Sequence, residues 1–268
     1  MPEFCPGYVK DPFRALATNY PGASAYPFKD FRTEWGPIFH RGRLDGSARV
    51  LAIGQDPGQH ENVLRRILVG EAGRRVQGFF AKLGVTKSYV LINALLYSVF
   101  GSNGAKYVDD PEPRDYRNAW IDGILAPGGV EAVVTFGKMA EKAWSEYTKA
   151  KGVPAGIAVA HLTHPTFPES AGGTNAQKAE NTKQMLTQWS AALQTLHPAV
   201  VHKDVPTPLV PYGDAFVAAD KVDIPSIDVP AGIPAWMYDD DGWARRVGES
   251  TEDRRRNITL TVPAGVIA

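Results

Sequence analysis

The chain has 268 residues, of which 44% are hydrophobic, with 29 Lys and Arg against 29 Asp and Glu. Balanced charge excludes a global basic field, so a nucleic-acid partner must be met by local positive charge. A single cysteine, Cys5, excludes an internal disulfide, a cysteine-ligated zinc site and an iron–sulfur cluster. The cysteine usage points to an intracellular, cytoplasmic protein. No stretch reaches the roughly 18–20 apolar residues of a membrane span. Met1 to Asp11 lacks the basic-then-apolar order of a signal peptide.

In chain order, residues 1–47 are rich in Pro, Gly and aromatics and read as an irregular or short-helical segment wrapping the body. Four apolar runs follow: Ala48 to Ile53, Tyr89 to Asn93, Ala132 to Phe136 and Ile157 to Leu162. Such runs form fully buried parallel strands. Between the first two, Val76, Phe79, Phe80 and Leu83 fall at helical spacing, with Gly84 as a C-cap. "PRDYRNAWIDGILA" and "KMAEKAWSEYTKA" read as the next helices, the second ended by Gly152. A last long helix starts after Thr174, an N-cap. Alternating strands and helices predict a three-layer α/β/α fold around a four-stranded parallel sheet, with N- and C-terminal extensions. The divisions are 1–47, an α/β domain over 48–197, and a Pro-rich, non-helical extension over 198–268. The extension's apolar residues are too scattered for a core of their own.

Ligands bind at the carboxyl ends of strands in such sheets. Three strand ends carry polar groups: "GQDPG" at 54–58, Asn93, and "HLTHPTFPES" with His161 and His164. Singly, each has an ordinary explanation, as a β-turn with Asp capping, a turn Asn, or a core-edge His. Together they occupy three ends of one sheet and converge on one cleft. A metal-dependent hydrolase using Asp56, His161 and His164 is one alternative. An extended strand alternates its side chains, which turns His161 to the face opposite His164. A non-catalytic nucleotide- or DNA-binding module is the other, disfavoured by a carboxylate, Asp56, beside an anionic backbone. Arg65, Arg66, Arg74 and Arg75 fit either phosphate contacts or a solvated helix face. "RRR" at 254–256 reads as a surface turn, and "AWMYDDDGWARR" as a segment packed on the body.

"GQDPG", then Asn93 in "LINALL", then "HPT" in "THPTFPES" resembles the uracil-DNA glycosylase superfamily. Its best-known branch has Gly-Gln-Asp-Pro-Tyr-His first and His-Pro-Ser second. "ILVGEAGRRV" resembles the "PFVGxAGxxL" stretch of the iron–sulfur branch. The likeness covers roughly residues 48 to 195. It implies hydrolysis of the N-glycosidic bond of a uracil flipped out of the DNA stack, with no cofactor, by a monomer. Asp56 matches the carboxylate that stabilises the sugar cation and orients water. His164 matches the donor to uracil O2, where charge develops. Asn93 matches the amide that reads O4 and N3–H and so separates uracil from cytosine. The backbone amides of Gln55 and Asp56 assist. Pro165, Thr166, Phe167 and Pro168 fall in the DNA-contacting wedge region.

The chain also departs from the pattern. Gly58 replaces the tyrosine that blocks thymine's methyl, which leaves space beside uracil C5. The phenylalanine that stacks on uracil falls on Leu68, which offers apolar contact without a π-face. Phe79 or Phe80 could substitute, although helix packing is their more natural task. The cluster cysteines are absent, so a divergent branch is implied.

Overall fold

A computed structural model of the chain describes residues 8–101, 103–239 and 242–265. Cys5 lies outside the described residues. The elements in order are α1 (Phe13–Thr18), β1 (Arg41–Gly42), β2 (Val50–Gly54), α2 (Gln59–Leu64), α3 (Gly70–Lys82) and β3 (Tyr89–Asn93). Then come α4 (Pro111–Leu125), β4 (Ala132–Phe136), α5 (Lys138–Lys151), β5 (Ala158–Leu162), α6 (Phe167–Ser170) and α7 (Asn175–Ala199). The C-terminal segment adds α8 (Ala235–Asp239), β6 (Ala244–Arg245), α9 (Thr251–Arg256) and β7 (Thr259–Leu260).

The main sheet runs β1-β3-β2-β4-β5. The four expected strands are parallel to one another. The sheet has five strands rather than four, because the short β1 pairs antiparallel with β3. Two residues of the wrapping segment are too few to carry a periodic signal, so β1 is invisible to pattern reading. Every residue of β2, β3 and β4 is buried. Alternation along each strand divides them between two cores. Leu51, Ile53, Val90 and Val133 pack with Trp120 of α4 and Trp144 of α5. Val50, Ala52, Leu91 and Val134 pack with Phe79 of α3 and Trp189 of α7 on the other side. The result is the three-layer arrangement expected, with helices on both faces.

The helical stretch between β2 and β3 is broken. Arg65 and Leu68 take left-handed backbone angles, φ 60° and 51°, which L-residues adopt at a cost. The break divides α2 from α3. Thr174 caps α7 as expected, accepting from Gln177 N–H while Gln177 bonds back to Thr174 N–H.

The C-terminal segment contains short helices, against the non-helical expectation. It packs on the body by mixing its own Ile224, Val229, Tyr238 and Trp243 with Leu64 and Val69. Its deepest attachment is ionic. Asp228, fully buried, pairs with Arg41 at 3.0 Å and Arg43 at 3.1 Å and accepts from the Tyr89 hydroxyl. Arg41 also donates to Ile67 O at 2.8 Å and Gln77 Oε1 at 3.1 Å. The "RRR" turn is likewise not a surface feature at Arg256, which is buried. Its guanidinium bonds Glu34 at 3.2 Å and Phe28 O at 2.6 Å and lies 3.7 Å from the centre of the Phe28 ring. Among the described residues no helix is long and apolar enough to cross a membrane.

Removing Asp228 leaves two buried guanidinium groups without their countercharge. Asp228→Asn is expected to destabilise the fold by about 3–5 kcal/mol, read as a lower urea midpoint in equilibrium unfolding. A variant as stable as the parent would show that the tail is held by its apolar contacts alone.

Candidate active site

The carboxyl ends of β2, β3 and β5 open on one cleft of about 1190 Å³. Gln55, Asp56, Gly58, Leu68, Asn93, His164, Thr166 and Phe167 all line it. These positions are brought together by a switch in connection direction. The chain steps from β2 out to β3, then passes back across β2 to β4, and the crevice forms where the direction reverses.

Asp56 lies two residues past the end of β2. Its Oδ2 accepts from the Val99 N–H at 2.9 Å. Burial pushes its pKa above the ordinary carboxylate value, opposed by that hydrogen bond and by the charges of Arg32 and Arg246. Asn93 ends β3 opposite Gly54. Its Nδ2 is buried with no hydrogen-bond partner, an unmet donor facing a ligand-sized space. Gly54 is required by this neighbour: a Cβ there would lie 2.3 Å from Asn93 Oδ1.

His164 sits in the loop after β5. Burial lowers its pKa to about 4, so the ring is neutral near pH 7. The Thr166 backbone N–H donates to its Nδ1 at 3.4 Å, and the Thr166 hydroxyl lies 3.1 Å from the same atom. A backbone N–H can only donate, so Nδ1 is the acceptor and the ring proton sits on Nε2. The loop itself is clamped to α3. Arg75 donates to Pro165 O at 2.6 Å and forks onto both carboxylate oxygens of Glu169, at 2.7 and 3.1 Å.

The model of the uracil DNA glycosylase superfamily matches residues 41–203. The chain belongs to that superfamily. It is accordingly a DNA glycosylase, a hydrolase of the DNA-repair class that acts on DNA bases. No curated protein matches the chain in sequence. The superfamily match begins at β1 and ends beyond α7, so most of the N-terminal and C-terminal segments lie outside it.

Several readings of the residues change in three dimensions. The space expected beside Gly58 is taken. A Cβ there would meet Glu61 Oε2 at 2.4 Å, and Gly58 has an ordinary φ of −80°. Glycine here lets the Glu61 carboxylate approach closely, and the backbone angle itself needs no glycine. The Glu61 carboxylate receives the Gly58 N–H and, at 2.9 Å, the Leu68 N–H. It thereby joins the first-motif loop to the left-handed residue proposed to meet the base. The Gln55 side-chain oxygen accepts from Met139 N–H at 3.3 Å at the start of α5. In the wedge region Pro165 and Pro168 are buried and Thr166 serves His164, so only Phe167, 40% exposed, stands at the rim. Phe79 and Phe80 are core residues.

His161 does not face away from the cleft as the strand alternation implied; it also lines it, with Nδ1 2.8 Å from the Thr135 hydroxyl. The chain leaves the strand after Leu162, so alternation no longer relates the two histidines. Among the described residues no three His, Cys, Asp or Glu side chains gather to hold a metal ion, so Asp56, His161 and His164 do not form a ligand set. The four arginines after the first motif are neither a solvated face nor a phosphate array. Arg65 binds the carbonyls of Trp35 and Pro37, Arg66 is buried, Arg74 pairs with Asp223 at 3.2 Å, and Arg75 holds the His164 loop. Glu61, Arg75 and Arg246 are the site-building residues that reading the sequence missed. Only Glu61, three positions after Gly58, left a signal, a helix-start acidic residue.

The His164 ring is expected to stay neutral, with its proton on Nε2, down to about pH 4. Imidazole ¹⁵N shifts recorded between pH 4 and 8 check this, and a transition near 6.5 would contradict it. The unfolded chain takes up this proton near 6.5 and the folded chain near 4. Stability therefore falls as pH drops across that window.

Proposed function

We propose that this protein removes uracil from DNA as a monofunctional glycosylase, leaving free uracil and an abasic site. The observation that carries the reading is the meeting of Asp56, Asn93 and His164 on one cleft, with Asn93 Nδ2 unpaired and His164 a neutral ring with its proton on Nε2. The C1′–N1 bond breaks with its electron pair leaving on the base, while positive charge grows on the sugar. Asp56, as a carboxylate, stabilises that cation and directs a water to C1′, whose oxygen forms the new bond as Asp56 accepts its proton. The negative charge on uracil O2 meets the Nε2–H of a neutral His164. A fixed neutral donor lowers the barrier without needing to transfer its proton.

Asn93 supplies selectivity. Its unpaired Nδ2 donates to uracil O4, and the amide oxygen accepts from N3–H. Cytosine presents a donor and an acceptor in the reverse places, which leaves the buried amide unmatched. Leu68 gives apolar contact to the base, and Phe167 at the rim fits a wedge that holds the stack open. All these groups come from one chain, which fits action as a monomer on uracil-containing DNA.

Two variants test this on uracil-containing single- and double-stranded oligonucleotides. Asp56→Asn is expected to keep the fold and bind DNA but lose on the order of 10²-fold or more in turnover. His164→Ala is expected to lower kcat by roughly 10²–10³-fold with a much smaller change in KM, because the contact strengthens as charge develops. Near-normal turnover of Asp56→Asn, or an effect of His164→Ala confined to KM, would overturn the assignment.

A further inference from the structure

Asp56 faces a problem that the superfamily-matched stretch does not solve by itself. The cleft removes water from the carboxylate, and desolvation favours the uncharged acid. An uncharged acid cannot stabilise a sugar cation.

Two arginines from outside residues 41–203 converge on the backbone that holds this carboxylate. Val99, whose N–H donates to Asp56 Oδ2, follows Ser98. Arg32, in the N-terminal segment and buried, donates from Nη1 to Ser98 Oγ at 3.1 Å and to Val99 O. Arg246, which follows β6, donates from Nη2 to the same Ser98 Oγ at 3.0 Å and lines the cleft together with Asp56. The hydroxyl and carbonyl of Ser98–Val99 thus hold two cations while its amide holds the anion.

The position of Arg246 is fixed by contacts between the tail and the first motif. Gln59 Nε2 donates to Ala244 O at 2.6 Å. The His60 and Trp243 rings meet edge to face with centres 5.2 Å apart. The chain at Trp243–Ala244, leading into β6, therefore docks directly on Gln59 and His60 of "GQDPGQH". Two guanidinium groups sharing one hydroxyl repel each other, and burial together with Arg32 lowers the Arg246 pKa to about 10. Asp56 and Glu61 oppose this effect on Arg246, as does Glu34, which is paired with Arg256. The other charged or titratable side chains around the cleft are His60 and Glu61 on α2, Lys138 and Glu141 on α5, His161 on β5 and His164 in the loop after it.

We propose that Arg32 and Arg246, contributed by the two segments that flank the superfamily match, form a brace behind Asp56 that keeps its carboxylate charged and fixed in place. Both are positioning residues. They act through Asp56 and through the Ser98–Val99 backbone, so the terminal segments are part of the catalytic centre. The inference rests on the reading of Asp56 as the group that faces the sugar.

The test uses the full chain with Arg246→Gln and Arg246→Lys. One readout is the titration of the Asp56 carboxyl, followed by ¹³C NMR without DNA and assigned with Asp56→Asn. The other is the pH dependence of kcat and KM on a uracil-containing oligonucleotide. Arg246→Gln is expected to raise the Asp56 pKa by about one unit and to move the acidic limb of kcat upward equally, with KM changed less than about twofold. Arg246→Lys restores both. If Arg246→Gln does not fold, Arg32→Gln poses the same question from the other side of Ser98. An unmoved Asp56 titration overturns the brace. So does a raised KM with a shallower salt dependence and an unmoved pH profile, which marks Arg246 as a phosphate contact. A moved titration without a moved activity profile supports the brace and overturns the role given to Asp56.

Discussion

The desolvation of a carboxylate, Asp56, at the mouth of the sheet is the constraint that its surroundings answer. Asp56 stands at the end of a fully buried strand, in a cleft able to take a nucleobase. Desolvation acts on the charged form alone, and only an opposite charge or a directed donor offsets it. The Val99 N–H supplies the donor, and Arg32 and Arg246 supply the charge. His164 lies under the same desolvation with the opposite consequence. Burial strips its proton, and a neutral imidazole with a defined tautomer remains. The same desolvation thus raises the pKa of Asp56, opposed by the Val99 N–H and two arginine charges, and lowers that of His164 without opposition.

The segments outside the sheet are accordingly anchored by charge as well as by apolar contact. Asp228 enters the body between Arg41 and Arg43, and Arg256 reaches Glu34 and Phe28 of the N-terminal segment. The two ends of the described chain bind each other as well as the sheet. Buried ion pairs of this kind contribute little net stability compared with apolar packing, but they tolerate no mismatched partner. They fix where the tail lies, and with it where Arg246 lies. Burial of the tail's Trp243 with Leu64 and Val69 places the chain that leads into β6.

The cleft has a second layer of support between its motifs. Glu61 ties the Gly58 turn to Leu68, and Arg75 ties α3 to the loop of His164. Each is a buried charge satisfied by backbone groups as well as side chains, which orients loops more rigidly than apolar contact can. The left-handed angle at Leu68 persists because Glu61 receives its N–H. Strain at such a position is held by the surroundings. The carboxylate of Glu61 occupies the place beside Gly58 where open space was expected.

The sequence by itself determined the layers and the residues at the strand ends. The four parallel strands, the helices between them and the Thr174 cap were legible because hydrophobic period and capping are local properties of the chain. The grouping of Asp56, Asn93 and His164 was legible because parallel topology sends all carboxyl ends to one edge. Tertiary structure alone decided what surrounds those groups. β1 is two residues long and gives no period. Arg65, Arg66 and Arg75 after the first motif and Arg256 in "RRR" look like surface charge in one dimension, and only their surroundings in the fold, such as Trp35, Glu169 and Phe28, draw them inward. Asp228 and Arg246 lie in a Pro-rich stretch with no regular pattern, and their partners are more than a hundred residues away in the chain. A charge's environment is a sum over neighbours in space, and local sequence does not encode it; folding the two terminal segments onto the sheet does.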